Sequence, residues 1–500
     1  MIAEMSVMAV LAFAGFLTTG AFRDPARQTG RVFLAIPVGA FIYMVMALLS
    51  LLTVGRVDPR VALGATALIG LGLAVVISSR REWRRDDAGM GLALIALTLG
   101  GVAVNHIFPM ARLTEDSMQN LYLSLQFQLP GALELISPPP LVSRQLGLAS
   151  LHALSSLTGL RYVPSLGTLF GLSTIGLFCW ITYKAGPSTR WRVWLVGATA
   201  AFLLSGNRFL YSWFYINSHV QVAAYLLISL VAAWLAMTRS WTWAPLSGMG
   251  LAALLLFRPD SPLIVGMVMV VIASLLPENR TALWIATPPL VVGFSWLGLI
   301  LFRYSEFAGV ISLASPVFSG ILVVLSGTVA LISVRWGFFR QVARYYGLIL
   351  VAGMAVALVG ATLMFPTTAL ASARATVLNT IGGYWFTTWW VAVALGLVAF
   401  FVHRIPYGRL WTQAITAMAL LYWLLPLLRD GAYRLGPGDS GVRILIHFLP
   451  VVTTFLVLAV TDFPRVEEAS YEGLQFSSRV RARTRKVAIS ARVSEESGQN

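Results

Sequence analysis

The sequence predicts an all-α polytopic membrane protein, and three observations carry this prediction. Hydrophobic residues make up 58% of the 500 residues, charged residues make up only 11%, and the mean hydropathy is +0.78. A soluble domain has about 25% charged residues, so the composition excludes a large water-soluble domain. The net charge of +16 is spread over short segments between apolar runs, which is typical of membrane orientation signals and not of a nucleic-acid-binding face.

Fifteen apolar runs give the predicted membrane spans. Backbone groups in hydrocarbon must be satisfied within their own segment, so each run is predicted to be a helix. The eighth and ninth runs are short and are also compatible with one re-entrant hairpin, which gives a prediction of about 13 to 15 transmembrane helices. The runs cover residues 3–21, 32–54, 61–78, 90–108, 163–183, 193–207, 219–237, 243–257, 262–276, 282–302, 314–334, 347–365, 384–402, 410–427 and 442–461.

The basic residues predict the orientation of these spans. When alternate loops are assigned to opposite sides, about two thirds of the 36 Lys and Arg residues fall on one side. The positive-inside rule makes that side cytoplasmic, so the N-terminus is predicted outside and the C-terminus inside. Residues 463–500 form a polar, basic tail, which we expect to be disordered and held near anionic lipid headgroups.

The longest predicted outer loop, residues 109–162, contains two amphipathic stretches at 117–128 and 141–158. Such helices lie along the membrane interface. Glu115 and Asp116 open the first stretch, where the helix dipole favours an ionised carboxylate, the form that a general base needs. The alternative interpretation is an ordinary N-terminal cap supplied by Thr114 or Asp116.

The last predicted outer loop brings cations to the edge of the membrane. Asp439, Arg443 and His447 are spaced i, i+4, i+8 and share one helix face. A guanidinium and an imidazole inside an apolar span suit a phosphate or diphosphate, although a structural ion pair between Asp439 and Arg443 is the alternative. Arg258 lies in a polar Arg-Pro-Asp turn between the two short spans, and snorkelling toward the interface explains it equally well.

Further outer-side candidates for substrate binding are His219, Arg374 and Tyr384. For each of them a structural role is the competing interpretation, and Tyr384 also fits an aromatic belt. The five histidines are too scattered for a recognisable metal motif. No metal ligand set is therefore predicted.

Several features in chain order resemble the GT-C superfamily of integral-membrane glycosyltransferases. The early acidic pair Glu115-Asp116 follows a span, and Pro139-Pro140-Leu141 comes after it, as in the HPPL element of the bacterial aminoarabinose and protein mannosyl transferases. The segments LRYVPSLGTLFGLSTIGLFCWITYK, LLLFRPDSPLIV and GVRILIHFLPVV follow in the same order as similar segments of those families. The resemblance covers about residues 90–460, which is most of the chain.

This resemblance implies a GT-C-like transmembrane catalytic module at 90–462, preceded by a three-helix extension at 1–89. It implies an inverting transfer of a sugar from a polyprenyl-phosphate donor to a glycan, lipid or protein acceptor, at the extracytoplasmic face of a bacterial plasma membrane. Asp116 would be the catalytic base, and Glu115 its alternate or the neighbour of a divalent cation such as Mg or Mn. Arg443 and His447 would hold the donor phosphate with help from Arg258.

The chain departs from the family pattern in three ways. Ser137-Pro138 stands where the family has a histidine before its proline pair. Three extra spans precede the family's first helix, and we expect no C-terminal soluble domain. Two other functions stay open: a glycan polymerase or ligase that uses a diphosphate-linked donor and relies on Arg374 and Arg434, and a lipid or solute transporter.

Overall fold

A computed structural model of the chain contains only helices among the residues that it describes. Every predicted span contains a helix, as expected for long apolar runs that must satisfy their own backbone groups. The described residues are 1–21, 30–79, 85–108, 114–137, 141, 143–185, 189–276, 279–308, 316–381, 385, 388–402, 405–428, 431–436 and 439–461.

Among the described residues of the first half of the chain, eleven α-helices have defined bounds. Their bounds are α1 (Ile2–Ala21), α2 (Arg31–Val54), α3 (Pro59–Ser79), α4 (Arg85–Ile107), α5 (Glu115–Gln126), α6 (Ala132–Leu135), α7 (Leu146–Ala153), α8 (Ser155–Thr158), α9 (Ser165–Ala185), α10 (Thr189–Ser205) and α11 (Asn207–Tyr211).

The described residues of the second half form eleven more. These are α12 (His219–Thr238), α13 (Ala244–Leu254), α14 (Ser261–Ala273), α15 (Asn279–Ala308), α16 (Pro316–Ser333), α17 (Gly337–Ala343), α18 (Tyr346–Met364), α19 (Pro366–Ile381), α20 (Thr388–Val402), α21 (Gly408–Leu428) and α22 (Ser440–Val460). The sequence did not predict α19, whose amphipathic, moderately apolar residues give no span signal.

The prediction of an all-α multi-pass membrane protein is confirmed. Within the described part of the chain, ten helices are long and apolar enough to cross a membrane, and α10 with α11 makes an eleventh if this pair, bent by 74° next to Gly206, counts as one span. Of the other predicted spans, α13, α14 and α20 are shorter apolar helices of 11, 13 and 15 residues, while α16 has 18. The larger count of 13 to 15 stays a prediction.

The outer loop is more deeply packed than an interfacial segment would be. All eight residues of α7 are buried, and α7 packs against α2 and α5. In α5 the buried positions are Ser117, Asn120, Leu123 and Ser124, so one face of this helix also turns inward. The second amphipathic stretch is therefore buried from Gln145 to Ser155, whereas Ser143 and Ser156 are exposed. Pro138, Pro139, Pro140 and Val142 lie outside the described residues.

The loops gather at two ends of the helix bundle, as alternate crossing requires. At one end, the Val57 amide donates to the carbonyl of Phe127 (2.7 Å) and Arg303 donates to the carbonyl of Glu134 (3.0 Å). We call it the acidic end because the seven acidic side chains that the structure describes all lie there: Glu4, Asp58, Glu115, Asp116, Glu134, Asp260 and Asp439.

The opposite end, which we call the basic end, carries the loops that are rich in arginine. There Trp180 lies 6.1 Å from Trp243 between ring centroids, and the Arg280 guanidinium lies 3.6 Å from the ring centroid of Trp241. Loops predicted to share a membrane side are therefore in contact at both ends. Which end faces the cytoplasm remains a prediction from charge.

The first three helices pack directly against the rest of the bundle. The Tyr43 hydroxyl donates to the carbonyl of Ser150 (3.1 Å), and the Tyr225 hydroxyl donates to the carbonyl of Pro37 (2.7 Å). At the crossing of α1 and α2, a Cβ added at Gly39 would overlap the carbonyl of Leu11, so the backbones meet without side chains between them. One continuous hydrophobic core joins these helices to the others. The predicted tail at 463–500 lies outside the described residues.

Candidate active site

A cavity of about 830 Å³ opens at the acidic end of the bundle. We call it the acidic-end cavity. Four chain segments that the sequence assigns to the same side meet around it: the start of α5 with residues 143–144, the start of α12, the turn between α13 and α14, and the end of α21 with the start of α22. Its charged and imidazole-bearing lining residues are Asp116, Arg144, His219, Arg258, Asp260 and Arg443.

Asp116 projects from the first turn of α5 and is held between two arginines. Its Oδ1 accepts a hydrogen bond from Arg144 Nη2 (2.7 Å), and its Oδ2 accepts one from Arg443 Nη1. The N-cap residue Thr114 makes no side-chain cap bond, so the alternative interpretation of a simple helix cap does not describe this carboxylate. Asp116 and Arg443, predicted from distant parts of the sequence, share one cavity.

The two arginines decide the ionisation of Asp116. Burial alone raises the pKa of this carboxyl, but the hydrogen bonds and charges of Arg443 and Arg144 outweigh burial and lower the pKa below its usual value. The group is therefore an ionised carboxylate at neutral pH. While both arginines stay in place it is also a weak base.

Arg144 is the functional candidate that the sequence did not single out. Its Nε donates to Gln119 Oε1 (2.8 Å), one turn along α5 from the carboxylate. The next residue, Gln145, has a φ of 62°, uncommon for a non-glycine residue, and its buried side chain accepts a hydrogen bond from Trp296 Nε1 (2.6 Å). This fixed turn sets the direction in which Arg144 leaves the chain.

Asp439 caps the helix that carries Arg443. Its carboxylate accepts hydrogen bonds from the backbone amide of Gly441 (2.7 Å) at the start of α22 and from the backbone amide of Arg434 (2.9 Å) in the preceding loop. The guanidinium of Arg443 reaches only the backbone carbonyl of Asp439 (3.4 Å) and turns its charge toward Asp116. The predicted alternative, an ion pair between Asp439 and Arg443, is therefore not formed. Asp439 caps α22, and Arg443 pairs with Asp116.

Two histidines and an ion pair form a second polar cluster at the cavity. His219 Nδ1 lies 2.9 Å from His447 Nε2, and the two rings stack with centroids 5.0 Å apart. Arg258 Nε donates to Asp260 Oδ1 (2.9 Å), and Arg258 Nη1 lies 3.2 Å from His219 Nε2. His219 and Arg258 line the cavity, whereas the fully buried His447 lies behind His219 and supports it.

The remaining predicted site residues lie elsewhere. Glu115 is exposed, and its carboxylate accepts a hydrogen bond from Gln119 (3.3 Å). Arg374 is exposed on α19 and does not line the cavity. Tyr384 falls outside the described residues. Within the described ranges, no group of three or more His, Cys, Asp or Glu side chains is arranged to hold a metal ion.

The cavity also has an apolar side. Phe257, Leu263, Leu425 and Leu428 are the large apolar side chains of its lining. Leu428 is 64% exposed at the end of α21, next to the lipid that would surround the bundle. A chamber lined by both cations and leucines suits a ligand that has both an anionic group and a hydrocarbon chain.

No family model matches the chain, and neither does any of the curated proteins or solved structures with which it was compared.

Proposed function

We propose that this protein is a membrane glycosyltransferase of the GT-C type. It would transfer a sugar from a polyprenyl-phosphate donor to a hydroxyl of an envelope glycan, lipid or protein on the extracytoplasmic side. The observation that supports this proposal is the contact between Asp116 and Arg443 inside an amphiphilic cavity. The reaction requires a base for the acceptor hydroxyl, which a carboxylate supplies. It also requires a cation for the phosphate that leaves, which a guanidinium supplies.

The leaving group of this reaction is a lipid phosphate, and its charge must be stabilised. Arg443 and Arg258 line the cavity and offer guanidinium donors that match phosphate oxygens. Leu263, Leu425 and Leu428 in the lining give the first part of the polyprenyl chain a hydrophobic surface. The acidic-end cavity therefore suits both parts of the donor.

Asp116 would act as the general base. The acceptor oxygen forms a bond to the anomeric carbon of the sugar, the bond from that carbon to the phosphate oxygen breaks, and the phosphate leaves with the electron pair. The proton of the acceptor hydroxyl moves to Asp116. A donor phosphate that draws Arg443 to itself also removes one of the two cations that lower the pKa of Asp116, so donor binding makes the carboxylate more basic.

The polymerase or ligase alternative has less support. It relies on Arg374 and Arg434, and neither residue lines the acidic-end cavity. The cations of the cavity instead surround a carboxylate, which favours a reaction that uses a base.

The test is an assay of polyprenyl-phosphate release from a panel of short-chain polyprenyl-phosphate sugars. The full-length protein is assayed in native membranes. These membranes supply the acceptor, so the readout does not depend on the identity of the acceptor. Asp116→Asn should lower turnover by about 10²- to 10⁴-fold, the usual contribution of a general base. Glu115→Gln tests the alternate carboxylate in the same assay.

Glu134→Gln is the matched control, because it removes an exposed carboxylate from the same end of the bundle, outside the cavity. It should retain turnover within a few-fold. Full turnover in Asp116→Asn would refute Asp116 as the base. A large loss in Glu115→Gln alone would move the role to Glu115. Loss in all three variants would indicate an effect of charge and not of a base.

A further inference from the structure

A second cavity lies at the basic end of the bundle, on the opposite side of the molecule from the candidate active site. It has a volume of about 620 Å³ and runs between α18, α20 and α21. We call it the basic-end groove. The lining residues that matter here are Arg344, Leu348, Val351, Phe400, Arg409 and Gln413.

The groove is cationic at its mouth and mainly apolar below. Leu348 and Val351 follow one another on one face of α18, and Arg344 lies in the turn that joins α17 to the start of this helix. On α21, Arg409 is followed by the lining residues Thr412, Gln413 and Thr416 on the same face. From Arg409 to Thr416, α21 rises about 10 Å. This length is comparable to the depth from a lipid phosphate to the upper part of its acyl chains.

The groove faces outward from the bundle. On α18, Leu348 is 59% exposed, and on α20, Phe400 is 43% exposed. In a membrane these side chains meet lipid, because nothing else in the described part of the chain covers them. A lipid can therefore enter the groove from the side.

The two arginines at the mouth carry charge that the described part of the protein does not neutralise. Every acidic side chain that the structure describes lies at the acidic end, and among the described residues neither Arg344 nor Arg409 has a carboxylate within ion-pair distance. Arg344 stacks over the Tyr345 ring at 4.8 Å, which leaves its guanidinium edge available to an anion. Two such cations at the level of the headgroups attract a phosphate.

We propose that the basic-end groove binds one anionic phospholipid. Its phosphate is held between Arg344 and Arg409, and the first part of an acyl chain lies along Leu348, Val351 and Phe400. The apolar wall distinguishes this site from one for a soluble anion, since inorganic phosphate gains nothing from it. The proposal is independent of the proposed glycosyltransferase function.

The experiment is native mass spectrometry of the full-length protein in detergent, titrated with phosphatidylglycerol or phosphatidylcholine. The wild-type protein should retain one phosphatidylglycerol with clear preference over phosphatidylcholine. Arg344→Gln with Arg409→Gln should weaken phosphatidylglycerol binding about 30-fold, since each cation near a headgroup contributes about a factor of five.

The matched control is Arg190→Gln with Arg335→Gln, which removes two exposed cations from the same end outside the groove. It should bind phosphatidylglycerol as the wild type does. Val351→Trp fills the groove without a change of charge and should also weaken the single bound lipid. A thermal unfolding scan of each variant identifies any that fails to fold, and the other groove variant then decides the result.

Wild-type binding in both groove variants would overturn the proposal, as would an equal loss in the control pair. Competition by inorganic phosphate at equal concentration would overturn it too, because the site would then recognise an anion without its lipid chain. Tighter binding of a polyprenyl phosphate than of phosphatidylglycerol would assign the groove to the donor lipid and refute the ligand proposed here.

Discussion

Asp116 holds two arginines together, and its neutralisation should cost more stability than the loss of either arginine. In Asp116→Asn, Arg144 and Arg443 keep their positive charges next to each other and lose their shared anion. In Arg443→Gln or Arg144→Gln, by contrast, the carboxylate still pairs with the remaining arginine. The structure therefore predicts an asymmetric set of free energies of unfolding.

The size of the effect follows from partial burial. The exposed fractions of the side chains are 26% for Asp116, 17% for Arg443 and 23% for Arg144. Fully exposed pairs contribute at most about 1 kcal/mol, and breaking a buried pair costs about 3–5 kcal/mol. We expect about 2–3 kcal/mol for Asp116→Asn and about 1 kcal/mol for each arginine variant. The coupling energy between Asp116 and Arg443 should be about 1–2 kcal/mol.

The assay is a double-mutant cycle on the full-length protein in detergent micelles. Unfolding is driven by sodium dodecyl sulfate and followed by tryptophan fluorescence. Glu134→Gln removes the same charge from an exposed position and should change the free energy of unfolding by less than about 0.5 kcal/mol. Equal costs for Asp116→Asn and Arg443→Gln, or additive effects in the double variant, would refute the argument that one carboxylate joins both cations.

Three further predictions concern packing, buried hydrogen bonds and pH. Gly39→Ala should lower the melting temperature by several degrees because its methyl group meets the carbonyl of Leu11, whereas Gly64→Ala, which has open space around it, should not. Glu4→Gln should destabilise the protein by about 1–3 kcal/mol, because this buried carboxylate accepts hydrogen bonds from α9 and contacts a histidine of α4; thermal unfolding measures the loss. Folding lowers the pKa of Asp116. The contribution of this carboxylate to the free energy of unfolding is therefore fully present above about pH 4 and is lost as the pH falls through its pKa in the folded state. The difference in the free energy of unfolding between the wild type and Asp116→Asn should stay constant from about pH 5 to 8 and shrink in acid.

The candidate site was only partly predictable from the sequence. Asp116, Arg443, Arg258 and His219 were candidates from residue type, loop position and the family resemblance, and the structure brings them to one cavity. Arg144 was passed over as one polar residue in an amphipathic stretch. An arginine four residues after the proline run, in a loop that already held the candidate base, was the available signal.

Local chemistry determined which segments are helices and which loops share an end. Hydrophobic length sets each span, and charge separates alternate loops, so both can be read from neighbouring residues.

The tertiary structure alone decided which side chains meet. The hydrogen bonds to Asp116 come from residues 28 and 327 positions away, and the stacked histidines are separated by 228 positions. Packing also turned α7 into core and gave Asp439 a capping role. These outcomes depend on the angles at which helices cross, and such angles follow from side-chain packing across the whole bundle and not from any one segment.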